Sequence, residues 1–216
     1  MVAKCIVIGI DTAHMEIIPC NPGFGASCAL CCGSHNYKAP FKTIKTLCHD
    51  RTKLFEIYSR EYMCGHIRAS RSNLTGSYYF YKETDFLPTL PDPIVIGGVQ
   101  CPFVGYKGTW RIGCLLYGDI DDSYRRDCYY QYGGKHFTCN AFHELSKDDI
   151  IYAARLLGDW YYYPILIHTP ESLEFIKKNN PDPKAIPEDK LRKIKDSLLK
   201  DFSKRNNLHL IHRYFS

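Results

Sequence analysis

The last third of the chain carries a repeated helical pattern of apolar positions. After Pro187, the residues Leu191, Ile194, Leu198 and Phe202 recur at intervals of three or four, which places them on one face of a helix. The opposite face is charged and is expected to be solvated. The pattern therefore predicts an amphipathic C-terminal helix that packs on the rest of the protein.

Capping signals indicate two more helices before this one. Ser146 with Asp149 three residues later is a variant of the capping box, and Gly158 suits the left-handed residue that ends a helix. Thr169 is the expected N-cap of the next helix, with Pro170 at its first position. We therefore expect helices throughout the region after residue 145.

The first two thirds of the chain have a different character. They are rich in Gly, Pro, Tyr and Cys, with short β-prone runs at 76–81 and 93–99 and a proline-broken connector at 85–93. The change predicts a small α+β fold with an irregular cysteine-rich body and short strands over 1–145. A helical C-terminal region over 146–216 is expected to pack on that body.

Composition excludes few classes of function. Hydrophobic residues make up 45% and charged residues 24% of the 216 residues, as in ordinary globular proteins, and the net charge of +5 is mild. The aromatic block at 159–164 lacks a basic frame, so we expect it in the core or in a subunit contact and not stacked on bases. Nucleic-acid binding is therefore not expected, whereas an unidentified protein partner stays open.

The cysteine content is high, and the cellular compartment decides whether these cysteines stay reduced. Eleven cysteines lie between Cys5 and Cys139, and none follows. No apolar run approaches the roughly 20 residues of a membrane span, so no membrane association is expected. The opening KCIVIGI reads better as a buried strand than as a signal-peptide core. We therefore expect a cytoplasmic protein with reduced thiols, which favours metal ligands or catalytic thiols over disulfides.

The first group of cysteines is compact. Cys28, Cys31 and Cys32 follow Cys20 within a stretch of small residues, and a CxxC spacing lets two thiolates converge on one metal. A redox dithiol is the rival interpretation. Such pairs open a helix after a strand and are not normally followed at once by another cysteine.

The second group is dispersed. Cys101, Cys114, Cys128 and Cys139 are separated by 10 to 13 residues, which does not fit zinc knuckles built from close pairs. Dispersed thiolates fit a site assembled from several loops, as in iron–sulfur centres.

Together the two groups resemble the YkgJ-like family of zinc- or iron-chelating proteins, which has a CxxCxxCC run. The resemblance covers about residues 20–145 and implies metal binding without indicating a reaction. Gly25 stands where the family has its first cysteine. The matching cysteines, which we expect to bind the metal, are Cys28, Cys31, Cys32, Cys101, Cys114 and Cys139.

Two residues are candidates for the position that Gly25 leaves without a ligand. Cys20 could replace it from a loop, or His143 could supply a ligand. If CNAFHEL is helical, Cys139 and His143 share a face and Phe142 anchors the turn in the apolar body. The alternative is that His143 faces solvent.

The remaining cysteines have simpler interpretations. Cys5 and Cys48 are expected to be core thiols, and Cys64 is expected to pack in the interior although His66 lies close to it in sequence. Cys128 could equally be a ligand or a residue at the edge of a polar loop.

Three hypotheses about function follow from these patterns. The first is a metalloprotein with a [4Fe–4S] iron–sulfur cluster, favoured over zinc because the thiolates are many and dispersed. The second is a structural zinc-binding protein that acts as an interaction module. The third is an enzyme in which Cys32 is the nucleophile and His35 its base.

Overall fold

The computed structural model of the protein describes the chain in separate stretches. They are residues 17–57, 67–71, 78–82, 94, 100–101, 103–115 and 139–204. The runs expected to form a first strand and a proline-broken connector lie outside these residues, as does 93–99 apart from residue 94. Predictions for Cys5, Cys64 and Cys128 lie outside them too.

The described residues form a mixed α+β arrangement with C-terminal helices, which confirms the predicted class at this level. The helices are α1 (Phe41–Ile57), α2 (Asn140–Glu144), α3 (Lys147–Leu157), α4 (Tyr162–Ile167), α5 (Pro170–Asn179) and α6 (Glu188–Lys204), with a 3₁₀ turn at Pro183–Ala185. The strands are β1 (Ile67–Arg71), β2 (Tyr78–Lys82), β3 (Val104–Lys107) and β4 (Arg111–Cys114). None of these helices combines the length and apolar character needed to cross a bilayer.

The strands form two antiparallel ribbons. Strand β1 pairs with β2, which confirms the β-prone run at 76–81, and β3 pairs with β4. In the second ribbon Val104 lies opposite Cys114 and Lys107 opposite Arg111, so three residues make the turn. This hairpin was not predicted, and it fixes the position of Cys114.

The predicted helix ends are mostly confirmed. The Ser146 hydroxyl accepts a bond from the Asp149 amide at 3.2 Å, and the Asp149 carboxylate accepts one from the Ser146 amide at 3.3 Å. Gly158 has a φ of +57°. Thr169 precedes α5 as expected, but its hydroxyl donates to the Ile165 carbonyl at 2.9 Å and does not cap. The hydroxyl bonds instead to carbonyls in the last turn of α4, because they lie within hydrogen-bonding distance of it.

The aromatic block lies in the interior. Trp160 and Tyr163 are buried, as expected for core residues. The Asp159 carboxylate accepts bonds from the next amides, those of Tyr161 and Tyr162 at 2.9 and 2.6 Å, and so caps α4. The Trp160 indole donates to the Tyr106 hydroxyl at 2.8 Å, which joins this capped turn to β3.

Two hydrophobic cores share the short segment that precedes α1. The first, which we call the helical core, contains Leu198 and Phe202 of the predicted α6 stripe, packed with α3 to α5 and with Cys28 and Leu30. The second, the hairpin core, joins α1 and the β3–β4 hairpin to Ala29. Residues from both predicted regions share the helical core, and the division at residue 145 stays a prediction.

Candidate metal centre

A compact turn presents Cys31 and Cys32 between the two cores. Backbone bonds run from the Cys32 amide to the Ala29 carbonyl at 3.1 Å and from the Gly33 amide to the Leu30 carbonyl at 2.8 Å. Gly33 has a φ of +80°, a conformation that glycine adopts without strain. Small residues are therefore needed here because the chain reverses within a few residues.

The glycine that departs from the CxxCxxCC run has a structural role. Gly25 has a φ of +79°, and a side chain at this position would place its Cβ 2.9 Å from the Gly158 carbonyl oxygen. A cysteine does not fit there without displacing the end of α3. The Cys28 amide instead donates to the Cys20 carbonyl at 3.1 Å, which brings Cys20 beside Cys28.

The downstream cysteines reach the same turn through the hairpin core. The Cys101 amide donates to the Cys32 carbonyl at 3.0 Å. Cys114 lies opposite Val104 at the open end of the hairpin, and Leu115 donates to the Phe103 carbonyl at 2.8 Å. This pairing places residues 101 and 114 next to residue 32, although 69 and 82 positions separate them from it in sequence.

All six predicted ligands belong to one electrostatic neighbourhood. The thiols of Cys20, Cys31 and Cys139 each raise the pKa of Cys28, and the thiols of Cys101 and Cys114 raise that of Cys32. We call the six predicted ligands together with Cys20 the thiol cluster. Its members are Cys20, Cys28, Cys31, Cys32, Cys101, Cys114 and Cys139.

Burial makes most of this cluster resist ionisation. Loss of water contact raises the pKa of Cys28 and Cys101, and it raises the pKa of Cys139 to about 11. Between the adjacent pair, a hydrogen bond from the Cys32 thiol lowers the pKa of Cys31 and raises that of Cys32. Several thiolates can therefore exist together only when a cation compensates their charge.

The donor set fits soft metals, which thiolates bind preferentially. In the described residues, however, no three His, Cys, Asp or Glu side chains are arranged so that they could hold a metal ion. The thiols are gathered from separate segments without forming a coordination shell.

A buried arginine lies beside the cluster, and the sequence did not indicate it. Arg51 is 0% exposed, and its guanidinium donates to the Cys101 carbonyl at 3.1 Å. Its charge lowers the pKa of Cys101 and Cys48 against the larger effect of burial. Nothing in the sequence distinguished this arginine from the solvated charges of a helix, because its burial depends on tertiary packing.

The histidine predicted as a base is fully engaged. The His35 Nε2 atom lies 2.7 Å from the Tyr161 carbonyl, which can only accept, so Nε2 carries the proton. Nδ1 therefore accepts from the Ser34 hydroxyl at 2.8 Å. Burial lowers the pKa of His35 to about 4, and the ring stacks on Tyr161. With both nitrogens occupied, His35 is not placed to take a proton from Cys32.

The structure contradicts part of what we predicted for the segment from Cys139 to His143. Helix α2 forms, but Phe142 is 53% exposed, so its predicted role as an apolar anchor is wrong. His143 is exposed as well. Cys139 is the N-cap, with extended φ and ψ of −107° and 105°, so helical spacing does not relate it to His143. Cys48 is buried in the hairpin core, which confirms it as a core thiol.

Comparison with known proteins found no relative of this chain. No model of a known protein family matches the chain, and no curated protein and no solved structure matches it.

Proposed function

We propose that the protein is a cytoplasmic, cysteine-ligated metalloprotein of the YkgJ-like kind, and that its thiol cluster binds an iron–sulfur centre. The observation that carries this proposal is the assembly of cysteines from four chain segments around the turn at Cys31 and Cys32. The ligands that we propose are Cys28, Cys31, Cys32, Cys101, Cys114 and Cys139.

The surroundings of the cluster support a metal-bound state. Burial raises the pKa of Cys28 and the hydrogen bond with Cys31 raises the pKa of Cys32, and neighbouring thiols add to both shifts, so deprotonation of several of these thiols needs a compensating cation. Arg51 adds a fixed positive charge on the side of Cys101. A [4Fe–4S] cluster uses several thiolates on different irons, which suits ligands from separate segments, and it supplies one-electron redox chemistry when bound.

The test is anaerobic purification of the full-length chain, followed by assays of iron and acid-labile sulfide. We expect a brown protein that contains both, and Cys31→Ser and Cys114→Ser variants that lose them. Cys48→Ser is the matched control and should retain both, because Cys48 is a core thiol of similar burial to Cys101. Wild-type protein without iron, sulfide or any thiolate-bound metal would refute the proposal.

Structural zinc is the second candidate, and the position of the cluster favours it. Cys28 belongs to the helical core and Cys101 to the hairpin core, so a metal bound by cysteines of both cores would link them. In that case the protein is colourless, contains zinc, and unfolds when a chelator removes the metal.

A further inference from the structure

We propose that Cys20 and Cys28 form a reversible disulfide when the protein meets a small disulfide of the glutathione class, and that Cys20 reacts first. This inference goes beyond the proposed function, because it concerns the oxidation of two thiols and requires no metal. Cys20 is also not among the proposed metal ligands. In a metal-loaded protein the bond would remove Cys28 from the ligand set, so oxidation and metal binding would exclude each other at this cysteine.

The backbone brings these two cysteines within the distance that a disulfide spans. The Cys28 amide donates to the Cys20 carbonyl at 3.1 Å, and between them the Ala26 amide donates to the Gly23 carbonyl at 3.0 Å. A direct backbone bond of this kind holds the two Cα atoms no more than about 7 Å apart. Disulfides join residues whose Cα atoms are about 4.4–6.8 Å apart, so the bond can form with little movement of the backbone.

The two thiols lie close to each other as well. Burial raises the pKa of Cys28 most, and among the neighbouring thiols that of Cys20 adds the largest further increase. Burial also raises the pKa of Tyr163, and the thiols of Cys28 and Cys20 add to that shift. The buried Tyr163 hydroxyl donates to the Pro19 carbonyl at 2.9 Å, which fixes the residue before Cys20 against the helical core.

The segment between the two cysteines is held against the end of α3. A Cβ at Gly25 would lie 2.9 Å from the Gly158 carbonyl oxygen, and the Arg155 guanidinium lies 4.7 Å from the centre of the Phe24 ring. These contacts hold the segment in the closed form in which its two ends are adjacent. Holding two reacting groups together raises their effective concentration, so Cys28 competes well against a second glutathione or another cysteine.

The exposure of the two thiols determines the order of the two steps. Cys20 is exposed, whereas Cys28 is only 8% exposed. The Cys20 thiolate attacks one sulfur of oxidised glutathione, which forms a mixed disulfide and releases one reduced glutathione. The Cys28 thiol then loses its proton and attacks the Cys20 sulfur, so that the protein disulfide forms and a second reduced glutathione leaves. The two cysteines lose two electrons and two protons, and these convert one glutathione disulfide into two thiols.

Disulfide mapping of the full-length chain tests this pair. The chain is purified under reducing conditions, exposed to a mixture of oxidised and reduced glutathione, quenched with acid, alkylated and digested with chymotrypsin. Cleavage after Phe24 and Leu30 separates Cys20, Cys28 and the cysteines that follow position 30 into different peptides. We expect mass spectrometry to show the peptide with Cys20 joined to the peptide with Cys28 as the main product.

Three variants separate the two steps. Cys28→Ser should stop at the mixed disulfide, so that Cys20 carries the mass of one glutathione. Cys20→Ser should leave Cys28 reduced, because glutathione does not reach a buried thiol. Cys48→Ser also removes a buried cysteine and is the matched control, which should form the bond as the wild type does. If Cys28→Ser does not fold, the peptide map of the wild type decides alone.

The same reaction in concentrated urea measures the contribution of the fold. Unfolding removes the backbone bond, so the preference of Cys20 for Cys28 over other cysteines should be about tenfold higher in the native chain. An equal preference in both states, a main bond from Cys20 to any other cysteine, or a wild type that stops at the mixed disulfide would overturn the proposal. The bond in a protein without thiolate-bound metal would support the pair and refute the proposed function, and metal binding without the bond would do the reverse.

Discussion

At the scale of single residues, Gly25 offers a sharp test of the turn before the cluster. Its φ is +79°, and an added Cβ would lie 2.9 Å from the Gly158 carbonyl oxygen. Gly25→Ala therefore combines left-handed strain with a backbone clash, and we expect a loss of about 3 kcal/mol in the free energy of unfolding. Urea denaturation measures it.

Gly23 is the matched control for this substitution. Its φ is +83°, yet nothing lies within 4 Å of an added Cβ. Gly23→Ala should therefore cost only the conformational strain, about 1–2 kcal/mol. Equal losses in the two variants would show that the contact with Gly158 does not constrain position 25.

If the thiol cluster binds a metal as proposed, Arg51 should make that binding more resistant to acid. Its charge favours the thiolate of Cys101, so Arg51→Met raises the pKa of that thiol further. Protons then compete better with the metal, and the pH of half-release should rise by about one unit. The measurement is metal retention across a pH series.

A surface cation provides the control for Arg51→Met. Lys177 of α5 pairs with Asp149 of α3 at 2.6 Å. Lys177→Met should leave the pH of metal release unchanged. A shift of the same size in both variants would mean that Arg51 acts only through overall stability or net charge.

At the scale of secondary-structure elements, the sequence predicted those helices whose signals are local. Ser146 and Gly158 marked the ends of α3 because caps depend on residues a few positions apart. Helix α1 was missed. Its buried face is Ile44, Leu47, Cys48 and Arg51, which has helical spacing but includes a charged residue. A charge on the apolar stripe conceals the amphipathic pattern, and only the tertiary structure explains it.

The capping box of α3 should contribute measurably to stability. Ser146→Ala removes the acceptor for the Asp149 amide, and we expect a loss of about 1 kcal/mol. Ser172→Ala in the first turn of α5 is the control and should change stability by only a few tenths. Comparable losses in thermal or urea denaturation would contradict a specific role for the cap.

At the scale of the whole molecule, spacing and family resemblance selected cysteines that the fold brings close to one turn, but the sequence did not indicate which core each cysteine packs against. Cys31 and Cys32 are neighbours in sequence and pack against different cores. This difference in packing depends on how the two cores meet at the turn, and no local sequence pattern predicts it. The prediction that Phe142 anchors α2 in the apolar body is wrong for the same reason, since the environment of Phe142 depends on what packs against α2.

Two histidines that are buried in the described part of the chain, His35 and His168, should make the protein sensitive to acid. Burial lowers the pKa of His35 from 6.5 to about 4 and that of His168 from 6.5 to about 3, although Asp159 opposes the shift at His35. Between pH 6.5 and about 4 the unfolded chain binds protons that the folded protein excludes, so stability is full above this window and falls as the pH decreases through it. At pH 5.5 each histidine should cost about 1.2 kcal/mol relative to pH 7. His168→Gln removes one of these groups at a site beyond the thiol cluster. The difference in unfolding free energy between pH 7 and pH 5.5 should therefore be smaller in this variant than in the wild type by about that amount, and an unchanged difference would show that His168 is not buried in its neutral form.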